Sequence, residues 1–194
     1  MNTFRTAATA FGTACFLSAS AHAAVVYDES ADGDLSGAFA SPTVITLGLG
    51  ANTIIGQMGE NGNTGATDGS DADYFQFTLA PGEVADSFVV DAFTPSQSIG
   101  GGSFLAYAAD NFTGQGGADI DGNAIFQGET FNRFLTGLIP GTELAAGTHA
   151  FWVQEITNGA TVDYAFTINV VPEPAAAGLL ALSLAGLKRR SRND

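Results

Sequence analysis

Apolar and polar residues alternate with a period of two along several segments of the chain. The longest runs from residue 161 to 170, where Val162, Tyr164, Phe166 and Ile168 alternate with smaller or polar residues. A period of two places successive side chains on opposite faces of a β-strand, so this segment is predicted to be a half-buried strand. Segments 74–79 and 45–49 show the same alternation over shorter lengths and predict two further strands.

Three other segments are apolar at most positions, and the alternation is lost in them. They are residues 87–93, 103–109 and 149–156. Such runs are typical of strands that are buried on both faces or lie near the centre of a sheet. The Asn158-Gly159 pair follows the last of these runs and precedes the strand predicted at 161–170. Because Asn-Gly favours two-residue hairpin turns, it predicts that these last two strands form a β-hairpin.

Turns rather than helices separate the predicted strands. Glycine and proline occur at 81–82, 100–102 and 140–141, and no stretch between Ala24 and Val171 has helical periodicity. Short strands at this spacing predict an all-β fold, an antiparallel β-sandwich of the jelly-roll type. The only helices expected are an N-terminal signal helix and a short apolar helix near the C-terminus.

The first 23 residues have the pattern of a secretory signal peptide. Arg5 precedes an apolar segment at 7–18, and Ala21-His22-Ala23 satisfies the small-x-small cleavage rule. We therefore expect signal peptidase to cut after Ala23. Cys15 is the single cysteine of the chain and is lost with this segment, so the mature chain has neither disulfides nor a thiol nucleophile.

The last 24 residues combine a rigid break, an apolar segment and a basic end. Pro172 and Pro174 flank Glu173 and hold the chain extended, the apolar segment covers 175–187, and basic residues fill most of 188–192. As a helix, the apolar segment would extend only about 20 Å at ~1.5 Å per residue, against a hydrocarbon core of ~30 Å. This length is short for a permanent transmembrane helix, and the basic end is expected to stay in the cytoplasm. An ordinary C-terminal anchor helix is the alternative.

This tail resembles the PEP-CTERM sorting signal of exported bacterial proteins. The resemblance implies that residues 171–194 insert transiently into the membrane through 175–187. It also implies that a membrane transpeptidase of the exosortase type cuts the chain near Pro172, Glu173 and Pro174. The expected destination is the cell envelope, the cell surface or the extracellular matrix, in association with exopolysaccharide.

The part of the chain between the two terminal segments is strongly acidic. It contains nineteen acidic residues and a single basic residue, Arg133, which gives residues 24–173 a formal charge of −18. Contacts with phosphate groups need lysine and arginine, so nucleic acid is excluded as a partner. An acidic surface of this kind attracts cations.

Acidic residues cluster at three places in this body: residues 28–34, 68–73 and 119–123. Calcium takes about six to eight oxygen ligands, and an Asp-x-Asp pair on a loop supplies two or three of them. The candidate calcium ligands are Asp71, Asp73, Asp119 and Asp121. The alternative is that these aspartates bond only to the local backbone of Gly-rich turns. No cofactor other than calcium is expected.

The body resembles the bacterial pre-peptidase C-terminal domain, a β-sandwich appended to secreted peptidases and other exported proteins. Residues 51–56 are similar to its opening strand, and residues 70–82 to its Asp-x-Asp-aromatic-x-Phe strand and Gly turn. Residues 146–153, followed by 163–168, are similar to its closing hairpin. The resemblance implies one β-sandwich domain over 24–170 and places Asp71 and Asp73 at the entry to a strand.

The residues do not favour catalysis. No Gly-x-Ser-x-Gly motif occurs, His149 is the only histidine outside the signal peptide, and residues 24–173 contain no lysine. We therefore expect a non-enzymatic exported protein. A calcium- or glycan-binding module, with Trp152 or Tyr107 stacking on sugar rings, is the first alternative. A hydrolase that uses paired carboxylates is the second.

Overall fold

A computed structural model describes residues 23–59, 71–99, 103–114, 120–126, 131–132, 143–155 and 160–173 of the chain. The predicted signal helix, the apolar helix at 175–187, Pro174 and Asp119 lie outside these residues. Within the described residues, no helix has the length and hydrophobicity that crossing a membrane requires.

The described chain forms two five-stranded sheets. In chain order its elements are β1 (Ala24–Asp28), α1 (Glu29–Asp32), β2 (Thr43–Val44), β3 (Gly50–Gly59), β4 (Ala72–Leu79), β5 (Glu83–Pro95), β6 (Ser103–Ala109), β7 (Gly122–Phe126), β8 (Phe131–Asn132), β9 (Gly147–Gln154) and β10 (Thr161–Pro172). The first sheet has the order β1-β3-β10-β5-β8, and the second has the order β2-β4-β9-β6-β7. The prediction of an all-β sandwich is therefore confirmed.

Strand β10 shows how the sequence pattern produces the fold. Its alternating apolar residues point into the space between the sheets and are almost fully buried, whereas most of the residues between them are half-buried on the outer face. It occupies the centre of the first sheet and pairs antiparallel with both β3 and β5. The alternation predicted at 161–170 is thus confirmed, with the strand extending to Pro172.

The aromatic residues of both sheets meet in one core between them. Phe151 stacks on Phe75, Phe77 and Phe88 with ring centroids 5.0–5.6 Å apart, and Phe166 packs against Phe88 at 5.0 Å. Each of these side chains is fully buried. Burying one such side chain stabilises the fold by roughly 1.5–3 kcal/mol, so this core holds the two sheets together.

A second, smaller cluster covers the outer face of the second sheet. Trp152 stacks on Tyr74 with centroids 5.4 Å apart, and Phe104 and Phe112 meet the indole edge-on at 4.9 and 6.3 Å. Phe39 adds a further edge contact to Tyr74. The outer face of this sheet is therefore packed by the chain's own loops, which explains why strand β6 is buried on both faces.

Several sequence predictions are corrected by the strand pairing. The hairpin predicted from Asn158-Gly159 is wrong, because β9 pairs with β4 and β6 whereas β10 belongs to the other sheet. At the sheet edges, β1 pairs with β3 and β2 with β4 in parallel, while the other pairs among the described strands are antiparallel. The strand predicted at 45–49 is also wrong: β2 ends at Val44, and only Ile45 of the alternating set is fully buried.

Candidate functional site

Three carboxylates from two distant parts of the chain converge beside α1. Glu29, Asp34 and Asp73 each offer an oxygen, and these atoms lie within 4.8 Å of one another. We call this group the carboxylate cluster. Two of its members come from the segment that follows β1, and the third comes from β4 in the second sheet.

The N-terminal segment reaches the cluster through β1 and one helical turn. Strand β1 runs parallel to β3, with Asp28 opposite Ile55 at its end. Asp28 then caps α1, because its carboxylate accepts hydrogen bonds from the Ser30 backbone N–H at 2.9 Å and hydroxyl at 2.6 Å. Gly33 ends the turn at φ +99°, a conformation that favours glycine. Two residues after Asp34, Ser36 accepts a hydrogen bond from the Tyr74 N–H of β4 at 2.8 Å, so this segment reaches the second sheet.

Glu29 ties this segment to the sheet with its side chain. Its carboxylate accepts one hydrogen bond from the Leu35 N–H at 2.9 Å and one from the Gln57 N–H at 2.6 Å. Strand β1 ends opposite Ile55, so the Glu29 carboxylate takes the place of a strand partner for Gln57. Leu35 is fully buried in the main core and anchors the other end of the segment.

Asp73 is the buried member of the cluster. It has no exposed surface, and its Oδ2 accepts a hydrogen bond from the Tyr164 hydroxyl at 2.6 Å. Its Oδ1 has no hydrogen-bond partner in the described part of the chain. Tyr164 lies opposite Gly56 in the strand register, and a Cβ at Gly56 would overlap the Tyr164 hydroxyl. Glycine at 56 therefore leaves room for the Tyr164 hydroxyl that donates to Asp73.

The cluster is electrostatically strained. Burial, followed by the nearby Glu29 charge, raises the pKa of Asp73 well above its ordinary value, against the opposing effect of the Tyr164 hydrogen bond. Burial also raises the pKa of Glu29, although its two backbone hydrogen bonds oppose this, and burial raises the pKa of Asp34. The pKa of the Tyr164 hydroxyl is raised as well, by burial and then by Asp73.

No positive side chain offsets this charge within the described residues, which contain neither lysine nor arginine. A hard divalent cation suits the donor set, because calcium prefers carboxylate oxygens and accepts mono- or bidentate geometry. Three carboxylates supply three to six oxygens, and backbone carbonyls or water complete such a shell. The donor chemistry of Glu29, Asp34 and Asp73 therefore fits calcium, and these residues would hold it.

A cavity of about 290 Å³ lies beside Glu29, one member of the cluster. It is lined by Asp28, Glu29, Ser30, Ile55, Gly56, Gln57 and Asp163. Gln57 also donates to Asp163 across the strands at 2.6 Å, so the cavity wall is fixed by hydrogen bonds. Glu29 lies in both the cavity wall and the cluster.

The predicted calcium ligands fall at separate places in the fold. Asp73 lies in the cluster, and Asp71 is buried two residues earlier, where it raises the pKa of Asp73 further. Asp121 lies near the other end of the second sheet, where its carboxylate accepts a hydrogen bond from the Ala109 N–H at 2.7 Å. Asp119 lies outside the described residues, so a site at 119–121 stays a prediction.

Sequence reasoning recognised acidic groups at 28–34 and 68–73 but not that they meet. The sequence places Glu29 and Asp34 in one acidic group and Asp73 in another, and it indicates only a strand position for Tyr164. A parallel edge strand and a side chain from the opposite sheet create the cluster, and neither leaves a local pattern in the sequence.

Three other residues considered for function have structural contacts. His149 is buried, and its Nε2–H donates to the Ala145 carbonyl at 2.8 Å, which leaves Nδ1 to accept from the Tyr107 hydroxyl at 3.0 Å. Trp152 and Tyr107 both pack against neighbouring rings of the second sheet. These contacts favour the core role over sugar stacking for both aromatic residues.

The predicted processing residues lie at the limits of the described fold. Ala23 is exposed and directly precedes β1, whereas Pro172 is the exposed last residue of β10. Glu173 follows and donates its backbone N–H to the Gly82 carbonyl at 2.8 Å. Pro174 lies outside the described residues.

Comparisons with known proteins add little to this geometry. No family model and no curated protein matches the chain. Among solved structures, the pre-peptidase C-terminal domain of a collagenase from Bacillus anthracis is similar, with a TM-score of 0.35 and 15% identity over 68% of this chain and 98% of that one. At this TM-score the neighbour's ligands give no guidance to those of this chain.

Proposed function

We propose that this chain is an exported, non-enzymatic β-sandwich of the cell surface or extracellular matrix, associated with exopolysaccharide and sorted through its C-terminal tail. One observation carries the proposal: the folded unit and the two predicted processing sites share their boundaries. Strand β1 begins at Ala24, directly after the predicted signal-peptidase site. Strand β10 ends at Pro172, the first proline of the sorting motif. Cutting at both places would release the sandwich without removing a strand.

The test is the intact mass of the protein recovered from the surface and medium of a bacterium that carries an exosortase-type transpeptidase. We expect an N-terminus at Ala24 and a C-terminus that lacks the apolar segment 175–187. The control is the same chain in a host without the transpeptidase, where the C-terminus should remain Asp194. Surface-exposed protein that retains residues 175–194 in the first host would refute the sorting proposal.

A second function, calcium binding, is favoured by the environment of Asp73. This residue is fully buried, one of its oxygens has no hydrogen-bond partner in the described part of the chain, and two further carboxylates lie within 4.8 Å. Burying a charge is costly unless it is paired or coordinates a metal. Calcium bound by Glu29, Asp34 and Asp73 would join the N-terminal segment to both sheets. Its role would be to stabilise the exported domain.

Isothermal titration of the secreted protein with calcium tests this second function. We expect one site in the wild type and its loss in Asp73→Asn, which keeps the size of the side chain but removes the charge. Asp91→Asn is the matched control, because Asp91 is an exposed acid on the outer face of β5, away from the cluster. Equal calcium binding by the wild type and Asp73→Asn would contradict a site at the cluster.

A further inference from the structure

The sorting motif begins inside the folded domain rather than beyond it. Strand β10 stays paired with β5 up to its last residue, with Val171 opposite Val84 and Pro172 opposite Glu83. Proline has no N–H to donate, so the next hydrogen bond comes from Glu173, whose N–H donates to the Gly82 carbonyl at 2.8 Å. The sheet therefore fixes the first two residues of the Pro-Glu-Pro motif.

The Gly82 carbonyl, which accepts this hydrogen bond, belongs to the turn between β4 and β5. Gly82 has φ +86°, and the Glu83 N–H donates to the Ala80 carbonyl at 3.0 Å. The Glu83 carboxylate in turn accepts a hydrogen bond from the Ala80 N–H at 2.9 Å. These bonds hold the Gly82 carbonyl in the position where Glu173 meets it.

We propose that folding of the sandwich withholds the bonds up to Glu173 from the transpeptidase and restricts the cut to bonds after Glu173. Susceptibility to cleavage follows the burial and hydrogen bonding of the backbone, because the chain must open locally before a protease can bind it. To open bonds 171–172 and 172–173, the end of β10 must separate from β5 and the Glu173 N–H from the Gly82 carbonyl. The inference rests on the proposed sorting function.

The C-terminal residue of the mature protein shows which bond the transpeptidase cuts. In the secreting host with the transpeptidase, we expect the mature wild-type chain to retain Glu173. A C-terminus at Pro172 or Val171 would overturn this inference while leaving the sorting proposal intact. An uncut C-terminus at Asp194 would instead overturn the sorting proposal, and the inference with it.

A turn variant tests whether the fold sets this limit, because it leaves the motif unchanged. Gly82→Val places a β-branched residue at a positive φ and should displace the carbonyl that Glu173 contacts. Gly33→Val is the matched control: Gly33 also has a positive φ, with open space around it, but lies at the other end of the sandwich. We expect cuts before Glu173 in Gly82→Val and none in Gly33→Val.

Amide hydrogen exchange of the full secreted chain measures the hydrogen bond from Glu173 to the Gly82 carbonyl directly. The Glu173 amide should exchange at least ~10-fold more slowly than in an unstructured peptide, and Gly82→Val should abolish this protection. Unprotected exchange in the wild type would overturn the inference. So would an unchanged cut in Gly82→Val after protection is lost. If Gly82→Val does not fold, inserting Gly-Ser-Gly-Ser between Val171 and Pro172 separates the motif from the turn and serves the same comparison.

Discussion

The sandwich buries polar groups at both ends of the space between its sheets, and the two ends differ in kind. Asp73 lies at one end of β4, and His149, opposite Phe77, lies four residues further along, about 13 Å away at ~3.3 Å per residue. At the histidine end, both ring nitrogens of His149 are hydrogen-bonded and the pair with Tyr107 is neutral. At the carboxylate end, three acids meet with no lysine or arginine in the described chain.

This contrast separates a structural polar contact from a candidate site. A buried hydrogen-bonded pair without net charge needs nothing further and rigidifies the strands that carry it. A buried group of carboxylates is stable only if its protons are retained or a cation is bound. Charge balance, rather than burial, therefore distinguishes the candidate cation site from the structural polar contact.

The largest expected effect comes from the glycine that makes room for Tyr164. Gly56→Ala would place a methyl group where the Tyr164 hydroxyl lies, so the ring must move away from Asp73. Overpacking and the lost hydrogen bond together should lower the free energy of unfolding by about 3 kcal/mol. Urea denaturation measures this change. Gly48→Ala is the control, because its added Cβ would meet only an ordinary contact, and equal stability of the two variants would contradict the close approach.

Removing the hydroxyl at the carboxylate end should have the next largest effect. Tyr164→Phe deletes the donor to Asp73 and leaves the ring in place. Because the acceptor is a buried carboxyl group, we expect a loss of about 2 kcal/mol in the free energy of unfolding. Urea denaturation without calcium measures it. A loss no greater than that caused by the corresponding change at the histidine end would weaken the distinction between the two ends.

That corresponding change is Tyr107→Phe. It removes the hydroxyl that donates to His149 Nδ1, and the partner it leaves is neutral. The expected loss in the free energy of unfolding is therefore only about 1 kcal/mol. The same denaturation series provides the value. Calcium affinity should be unchanged in Tyr107→Phe, and an altered affinity would show that the two ends are coupled.

The smallest effect is a pH dependence at the histidine end. Burial lowers the pKa of His149 below its ordinary value of 6.5, although the Ala145 hydrogen bond and Asp110 oppose this shift. Burial, followed by Asp121 and Asp110, raises the pKa of Tyr107 to about 12. At His149, the unfolded state therefore binds more protons than the folded state below about pH 7. The stabilising contribution of neutral His149 is accordingly lost as the pH falls through 6.5, by at most ~1.4 kcal/mol per pH unit.

The measurement is the difference in unfolding free energy between the wild type and His149→Gln at pH 7 and pH 5. Taking this difference cancels the contribution of the carboxylate cluster, whose raised pKa values change the stability with pH in the opposite sense. We expect the advantage of the wild type over His149→Gln to shrink at pH 5. An advantage that stays constant or grows on acidification would contradict a neutral buried His149.

The fold could be predicted from the sequence where burial has a local period. The alternation along β10 and the apolar run of β6 identified those strands, because each side chain's environment depends on its own face of the sheet. Pairing could not be predicted in the same way. Asn158-Gly159 indicated a hairpin, yet β9 and β10 belong to opposite sheets, because burying an inward face in each sheet outweighs a local turn preference.

The site could be predicted only in part, for the same physical reason. Asp73 was identified from its position at a strand entry, but its partners Glu29, Asp34 and Tyr164 are 44, 39 and 91 residues away along the chain. The parallel pairing of β1 with β3 brings the first two into place. Such contacts depend on the order of strands in the sheets, and composition or spacing does not record that order.

Thermal unfolding of three secreted proteins, in millimolar calcium and in EDTA, tests the central claim that only the carboxylate end takes a cation. A ligand at ~100 times its Kd adds about 2.7 kcal/mol of stability, which for a chain of this size raises Tm by about 5–10 °C. We predict this shift in the wild type and in His149→Gln and its absence in Asp73→Asn. A wild-type Tm that is the same in calcium and EDTA, or an equal shift in all three proteins, would contradict the claim.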